Sequence, residues 1–311
     1  MRAVWLKEFG GPEVLVPGDA PDPVPGPGQV LVEVAFANIT FVETQFRAGA
    51  PGPFRAQPPL IPGNGVGGAI SVLGAGVDPG LAGQRVVTST GGSGGYAQRV
   101  AVDASAVFPV PGALELDAAV AVLADGRTAT GLVHATRVRP GDRVLVEAAA
   151  GGVGGLLVQL AKAAGATVIG AAGGPAKVAS VRGADEVVDY LAPDWAASAG
   201  EVDVVFDGVG GEIGTTAFGL VRPGGRMAVY GLAGGSWAEV SEEDAAARGV
   251  SLVRSIGNPA EMRAFTESAL AEAAAGRLVP VIGRRFPLEQ AADAHAAIES
   301  RTTVGKTLLV A

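Results

Sequence analysis

No cysteine occurs in the 311 residues of this chain. That excludes disulfides, thiol nucleophiles and cysteine-ligated zinc together. Histidine is nearly as scarce. His134 and His295 are the only two, both in helical patterns without a carboxylate or nucleophile at readable spacing, so each reads as structural. Positive charge is short as well: 23 Lys and Arg face 31 Asp and Glu, a net charge of −8. No basic stripe is available to neutralise a nucleic-acid backbone. Long apolar runs are missing. Ala148–Ala161, between Glu147 and Lys162, is too short and glycine-rich to span a bilayer, and the opening MRAVWLKEFGG has no signal-peptide core. A cytoplasmic protein with no membrane or nucleic-acid partner is expected. Its length suggests about two domains.

Glycine, by contrast, is abundant at 48 residues, and one glycine-rich stretch organises the rest. In RVLVEAAAGGVGGLLVQLAKAAGATVIGAAGGPAK, Arg143–Lys177, the apolar run Val144–Val146 follows the turn pair Pro140–Gly141 and suits a buried parallel strand. A Gly-rich turn follows, then Leu156, Leu157, Leu160, Ala161 and Ala164 at helical spacing. Gly165 suits a helix stop, and Ala166–Ile169 a second strand. Strand, turn, helix and strand make a βαβ unit. Against the fingerprint G-x-G-x-x-G the turn reads Ala149, Ala150, Gly151, Gly152, Val153, Gly154, with Ala149 in place of the first glycine. A bare second position lets the backbone approach a pyrophosphate, a small third position lets helix and strand pack, and the helix N-terminus faces the phosphates. The pattern predicts dinucleotide binding.

The end of the second strand selects the dinucleotide. NAD-binding versions place an Asp or Glu there for the ribose 2′-OH. This chain has Ala171, Ala172, Gly173 and Gly174, with no carboxylate until Asp185. A 2′-phosphate would meet no repulsion there, and Lys177, one of only four lysines, is near enough in sequence to pair with it. NADP(H) is the expected cofactor.

From Arg2 to about Pro111, short β-like runs such as VLVEVAF and RVVTST alternate with Pro- and Gly-rich turns, suggesting a small barrel. Around Leu114 the texture turns helical, with a short break expected at Asp125–Gly126. From Arg143 to Ile256, VLVEA, TVIGA, EVVDY, DVVFDGVG, RMAVYG and SLVRSIG alternate with helical stretches, as a doubly wound nucleotide domain requires. A helix over Pro259–Gly276 and a tail of helix then strand complete the chain.

These residues resemble a family. RPGDRVLVE followed by AAAGGVGGLLVQLAKAAGATVIG is similar to the cofactor loop of zinc-independent medium-chain dehydrogenases/reductases, in the branch of quinone oxidoreductases related to zeta-crystallin. MRAVWLKEFGGPEVL, PGNGVGG, GGYAQRVAV, DGRTATGL, GADEVVDY, VVFDGVGG, PGGRMAVYG and TTVGKTLLV match in the same order along the whole length. The resemblance implies an α/β protein in which a GroES-like β-barrel catalytic domain, 1–118 and 258–311, is interrupted by a Rossmann domain with a doubly wound parallel sheet, 119–257. It also implies a homodimer joined through the last Rossmann strand, Ser251–Ile256. Its pyrophosphate contacts fall on Gly151, Gly152 and Val153, and its 2′-phosphate contacts on Lys177, Tyr190 and Arg301. Thr128, Val209, Gly231 and Leu232 match positions beside the nicotinamide and its ribose.

The chain departs from the family at three places. Zinc-dependent relatives carry His-Glu where Asn64–Gly65 stands, which argues against metal-assisted alcohol oxidation. Many quinone reductases carry Asn and Tyr at Thr40 and Gln45, and neutral residues beside the glycine of Asp125–Gly126–Arg127. With no metal to polarise it, the hydride acceptor must already be electron-poor, so a quinone or an enone is the expected substrate. Thr40, Gln45 and Asn64 are candidates for orienting its carbonyl oxygen, and no general acid is assigned. An enoyl reductase acting on a thioester or polyketide-like intermediate, and an NADPH-binding protein with little turnover, are the alternatives.

Overall fold

The computed structural model describes residues 1–311, and its sheets fall into two kinds because its strands carry two kinds of apolar pattern. The N-terminal strands are short and half-buried: β1 (Arg2–Leu6), β2 (Leu15–Asp19), β3 (Gln29–Ile39), β4 (Gly65–Leu73), β5 (Arg85–Ser89), β6 (Arg99–Asp103) and β7 (Val107–Pro109). The short helix α1 (Phe41–Arg47) follows β3. The long helix α2 (Leu116–Thr136) then leads into β8 (Arg143–Val146), α3 (Gly152–Ala163), β9 (Thr167–Ala172), α4 (Pro175–Val178), β10 (Glu186–Asp189), α5 (Trp195–Ala199), β11 (Val202–Asp207), α6 (Gly211–Gly219), β12 (Val221–Val229), α7 (Glu242–Ala247) and β13 (Ser251–Val253). The C-terminal elements are α8 (Pro259–Ala274), β14 (Ile282–Pro287), α9 (Ala291–Glu299) and β15 (Lys306–Val310). The chain divides into two units, one of Met1–Ala124, Leu270–Arg277 and Ile282–Ala311, the other of Asp125–Ala269 and Leu278–Val281.

In the first unit β3 is the spine. It pairs antiparallel with β4, with β6 over Gln29–Glu33, and with β15 over Phe36–Ile39. Two register shifts in the β3–β4 ladder bend the strand, as a small barrel needs. The inward faces of β1, β3, β4 and β6 bury Val4, Leu6, Val30, Val32, Ile70 and Val102 in one core. The sequence missed β14, whose Arg284 and Arg285 give it no apolar alternation; it is the edge strand of this sheet.

The second unit holds a six-stranded parallel sheet in the order β10-β9-β8-β11-β12-β13. Numbered by first appearance that is 3-2-1-4-5-6, the doubly wound dinucleotide order, and it reverses direction between β8 and β11. Helices on both faces explain why Val144, Leu145, Val146, Val204, Val205 and Phe206 have no exposure at all. The break expected at Asp125–Gly126 does not occur, and α2 is continuous. A helical glycine costs about 1 kcal/mol, which burial of Ala119–Leu123, Ala129 and Leu132 on the same helix outweighs. No helix is long and apolar enough to cross a membrane.

Candidate active site

The turn after β8 is built around glycines that cannot be replaced cheaply. Ala148 adopts a left-handed conformation, φ +49°, and its carbonyl accepts from Gly151 N–H at 2.8 Å. The left-handed residue is therefore one position before Ala149, where the fingerprint puts its first glycine. A Cβ on Gly154 would lie 2.7 Å from the Ala148 carbonyl carbon and closer still to its oxygen, so this glycine sets how near α3 packs to the end of β8. Ala150 is buried beneath the turn. Gly151 is the N-cap of α3 and offers no side-chain cap. The N–H groups of Gly152, Val153 and Gly154 thus have no acceptor inside the helix. Open donors at a helix N-terminus, at the sheet's switch point, fit a pyrophosphate.

At the end of β9, Gly173 gives its missing side chain to Tyr190: a Cβ there would meet the Tyr190 ring at 2.7 Å. Tyr190 N–H is tied to Ala172 O at 3.1 Å. Lys177 is half-buried on α4, two residues into the helix that starts after Gly174. Gly173, Lys177 and Tyr190 therefore gather at one strand end. The structure also brings in a carboxylate that spacing alone did not reveal. Parallel pairing sets Asp189 of β10 opposite Ala172, and its Oδ1 accepts from Gly174 N–H and Leu191 N–H, each at 2.9 Å. The crevice is not bare of carboxylates, and the Gly174 N–H is already engaged. Asp185, by contrast, binds Val168 N–H and pairs with Lys162 at 2.7 Å.

Beside the switch point, the loops after β11 and β12 lock together. Tyr230 N–H and Gly231 N–H both donate to Asp207 O, and Gly234 N–H donates to Val209 O at 2.6 Å. A Cβ on Gly231 would meet the Gly208 carbonyl carbon at 2.9 Å. Val209, Gly231 and Leu232 are thereby placed together at the carboxyl ends of two strands, where open α/β sheets bind ligands. Thr128 is half-buried on α2. Beneath the loop lies a pair of carboxyls absent from any sequence expectation. Glu147 and Asp207 are fully buried, and Val209 N–H reaches both, at 3.2 and 3.1 Å. Gly210 N–H donates to Asp207 at 2.6 Å. Burial raises the pKa of both groups, that of Glu147 well above the usual carboxylate range, with the charge of Asp207 adding to the shift of Glu147.

In the first unit, Thr40, Gln45 and Asn64 are all half-buried. Thr40 caps α1, and Glu43 three residues later reaches back to it, with Thr40 N–H and Oγ1 donating to Glu43 Oε2 at 2.7 and 2.9 Å. The other oxygen, Oε1, accepts from Asn64 N–H at 2.9 Å. Glu43 therefore joins two of the three residues singled out from sequence, although it was not itself among them. Gln45 lies two residues beyond Glu43 on α1, and the backbone carbonyl of Gln45 accepts from Ala50 N–H. Asn38, at the end of β3, is buried with neither side-chain polar atom hydrogen-bonded, its amide lying where a Cβ on Gly65 would be 2.7 Å from Cγ. Arg301 is exposed in a left-handed turn, φ +57°, and belongs to this unit, whereas Lys177 and Tyr190 belong to the other. The structure gathers no group of three or more His, Asp or Glu side chains able to hold a metal ion.

Residues 26–112 match the alcohol dehydrogenase GroES-like domain model, and residues 182–309 the zinc-binding dehydrogenase model. The chain is 35% identical to the quinone oxidoreductase of Rattus norvegicus, covering 100% of this chain and 98% of that one. It is 32% identical to a 2-haloacrylate reductase of a Burkholderia species, covering 100% and 99%. Among solved structures, Escherichia coli quinone oxidoreductase complexed with NADPH superposes with a TM-score of 0.90 at 28% identity, over 100% of both chains. A mycobacterial protein complexed with NADPH superposes with a TM-score of 0.89 at 31% identity, again over the full length of each.

Proposed function

Because the chain belongs to the zinc-independent medium-chain dehydrogenases/reductases, in the quinone oxidoreductase branch, it is an NADPH-dependent oxidoreductase of conjugated acceptors, and we propose how its residues divide that work. The observation that carries the proposal is the set of open N–H groups at Gly152–Gly154, packed against β8 by a glycine that tolerates no Cβ. These donors hold the pyrophosphate. Lys177 and Tyr190 take the 2′-phosphate. Asp189 at the same strand end has its Oδ1 turned to the Gly174 and Leu191 N–H groups. Thr128, Val209, Gly231 and Leu232 flank the nicotinamide end.

When bound, NADPH supplies a hydride to a carbon already made electron-poor by conjugation. The protein's part is to hold that carbon at near-attack distance, exclude water and steady the oxygen that gains negative charge. Thr40, Gln45 and Asn64 orient that oxygen. The acceptor is a quinone or an enone, and the 2-haloacrylate reductase among the relatives favours including substituted acrylates. The cofactor domain spans 119–257, within a catalytic domain of 1–118 and 258–311. A homodimer forms through β13, the last strand of the parallel sheet, whose outer edge pairs with no strand of its own chain. The protein acts in the cytoplasm.

The test is NADPH consumption with a panel of quinones, simple enones, substituted acrylates and enoyl thioesters. Turnover of quinones or enones is expected. Turnover of thioesters alone would make it an enoyl reductase, and tight NADPH binding without turnover on the whole panel would make it a binding protein.

A further inference from the structure

We propose that Glu43 is a positioning residue that controls the proton taken up by the reduced acceptor: protonated, it turns the Thr40 hydroxyl outward as a donor, and ionised, it draws that hydroxyl to itself. The proposal rests on the placement of Thr40 beside the acceptor oxygen.

A carboxylate offers about four lone-pair positions and a hydroxyl only one proton. Thr40 N–H, Thr40 Oγ1 and Asn64 N–H all converge on Glu43, at 2.7, 2.9 and 2.9 Å. Tyr96 is fully buried, and its hydroxyl lies 2.9 Å from His295 Nε2. With Glu43 ionised, the Thr40 proton points inward to Oε2, and Thr40 offers the acceptor only lone pairs. An oxygen gaining negative charge would be repelled. With Glu43 protonated, its own O–H donates to Thr40 Oγ1 and frees the Thr40 proton to point outward. The backbone donors of Thr40 and Asn64 are satisfied in both states, so the two loops keep their places while the hydroxyl reverses.

The surroundings let this group change state. Glu43 is 3% exposed, and burial raises its pKa above the ordinary glutamate range, opposed by the Thr40 and Asn64 hydrogen bonds and by the Lys306 ammonium of β15. Arg47 of α1 is buried and pairs with Glu299 of α9 and with Gly10 O. His295 of α9 is held neutral, its pKa pushed down to about 3 by burial and by Arg47, so it does not compete for the proton.

Hydride adds to the carbon β to the carbonyl, and the displaced π pair becomes an enolate. The enolate oxygen takes the proton of Thr40 Oγ1 as Thr40 Oγ1 takes that of Glu43 Oε2. An enol leaves, Glu43 remains as carboxylate, and water returns one proton through Thr40 after release. A hydroquinone anion is a far weaker base than an enolate, so enones depend on this relay more than quinones do.

The test is the pH profile of kcat for one enone and one quinone in wild type, Glu43→Gln, Thr40→Val and Thr40→Ser, with the protonated-carboxyl infrared band followed over the same range. For wild type, enone kcat is expected to fall as pH rises, with the midpoint at which the infrared band disappears. Glu43→Gln keeps a hydrogen bond to Thr40 but has no proton to give. It should lose both the band and the pH limb and lower enone kcat about 100-fold, with the quinone less affected and NADPH affinity unchanged. Thr40→Val should lose the limb and Thr40→Ser retain it, which decides the matter even where Glu43→Gln fails to fold. A wild-type limb persisting in Glu43→Gln, or in Thr40→Val, overturns the relay. Thr40→Val with wild-type kcat and KM for every acceptor overturns the placement of Thr40 itself.

Discussion

Gly154→Ala isolates the packing on which the proposed cofactor binding depends. The added Cβ would sit 2.7 Å from the Ala148 carbonyl carbon and 3.0 Å from Ala149 Cα, both backbone atoms. Restoring an ordinary 3.4 Å separation from that carbon moves α3 by about 0.7 Å, and the nearer oxygen requires more. Overpacking of this kind costs about 1–3 kcal/mol of stability. The same shift carries the Gly152–Gly154 donors away from the pyrophosphate. Hydrogen bonds to a charged group contribute about 1.5 kcal/mol each at the low end, so weakening two raises the NADPH Kd about 100-fold. Gly155→Ala is the control on the same helix, because its Cβ meets nothing nearer than Ala149 O at 3.6 Å. That variant should bind NADPH as wild type does and gain up to about 1 kcal/mol from helix propensity. Nucleotide fluorescence titration and urea unfolding read both quantities. Wild-type affinity and unfolding midpoint in Gly154→Ala would refute the reasoning.

Three further outcomes follow from other parts of the same unit. Lys177→Ala should weaken NADPH about tenfold or more while leaving NADH nearly unchanged; equal losses in the two titrations would remove Lys177 from the 2′-phosphate site. Ala148→Gly relieves a left-handed alanine, φ +49°, and should stabilise the fold by about 1 kcal/mol in urea unfolding, whereas destabilisation would mean that the Ala148 methyl contributes more than the strain. The pKa of Glu147 is raised in the folded protein, chiefly by burial and then by Asp207. Its contribution to stability is therefore full below the usual glutamate range and declines as pH rises through the folded value. Unfolding free energy measured upward from the usual glutamate range should fall less steeply in Glu147→Gln than in wild type; parallel curves would show that the Glu147 pKa is not raised on folding.

The parts of this architecture set by neighbouring residues were legible in the sequence. Val144–Val146, the glycine turn and the Leu156–Ala164 stripe lie within one βαβ unit, and each is explained by its own periodicity. Longer-range placement was not legible. Asp189 reaches Gly174 only because β10 pairs in parallel with β9. Glu147 and Asp207 meet because β8 and β11 are neighbours in the sheet although 60 residues apart in sequence. The Thr40-x-x-Glu43 spacing is a capping-box signature, so half of the Glu43 network was open to inspection. The bond to Asn64, 21 residues on, depends on the barrel closing. Asp125–Gly126 misled for the opposite reason: local propensity favours a break, and burial along α2 overrides it.

The most direct test is a single turnover with NADPH carrying deuterium at the transferred position of the nicotinamide and an enone acceptor, the product analysed by mass spectrometry and NMR. Deuterium at the carbon β to the carbonyl, with the second hydrogen drawn from water, is the expected result. A reduced product carrying no deuterium, or label that washes out into solvent, would contradict direct hydride transfer from a nucleotide held at the Gly151–Gly154 turn.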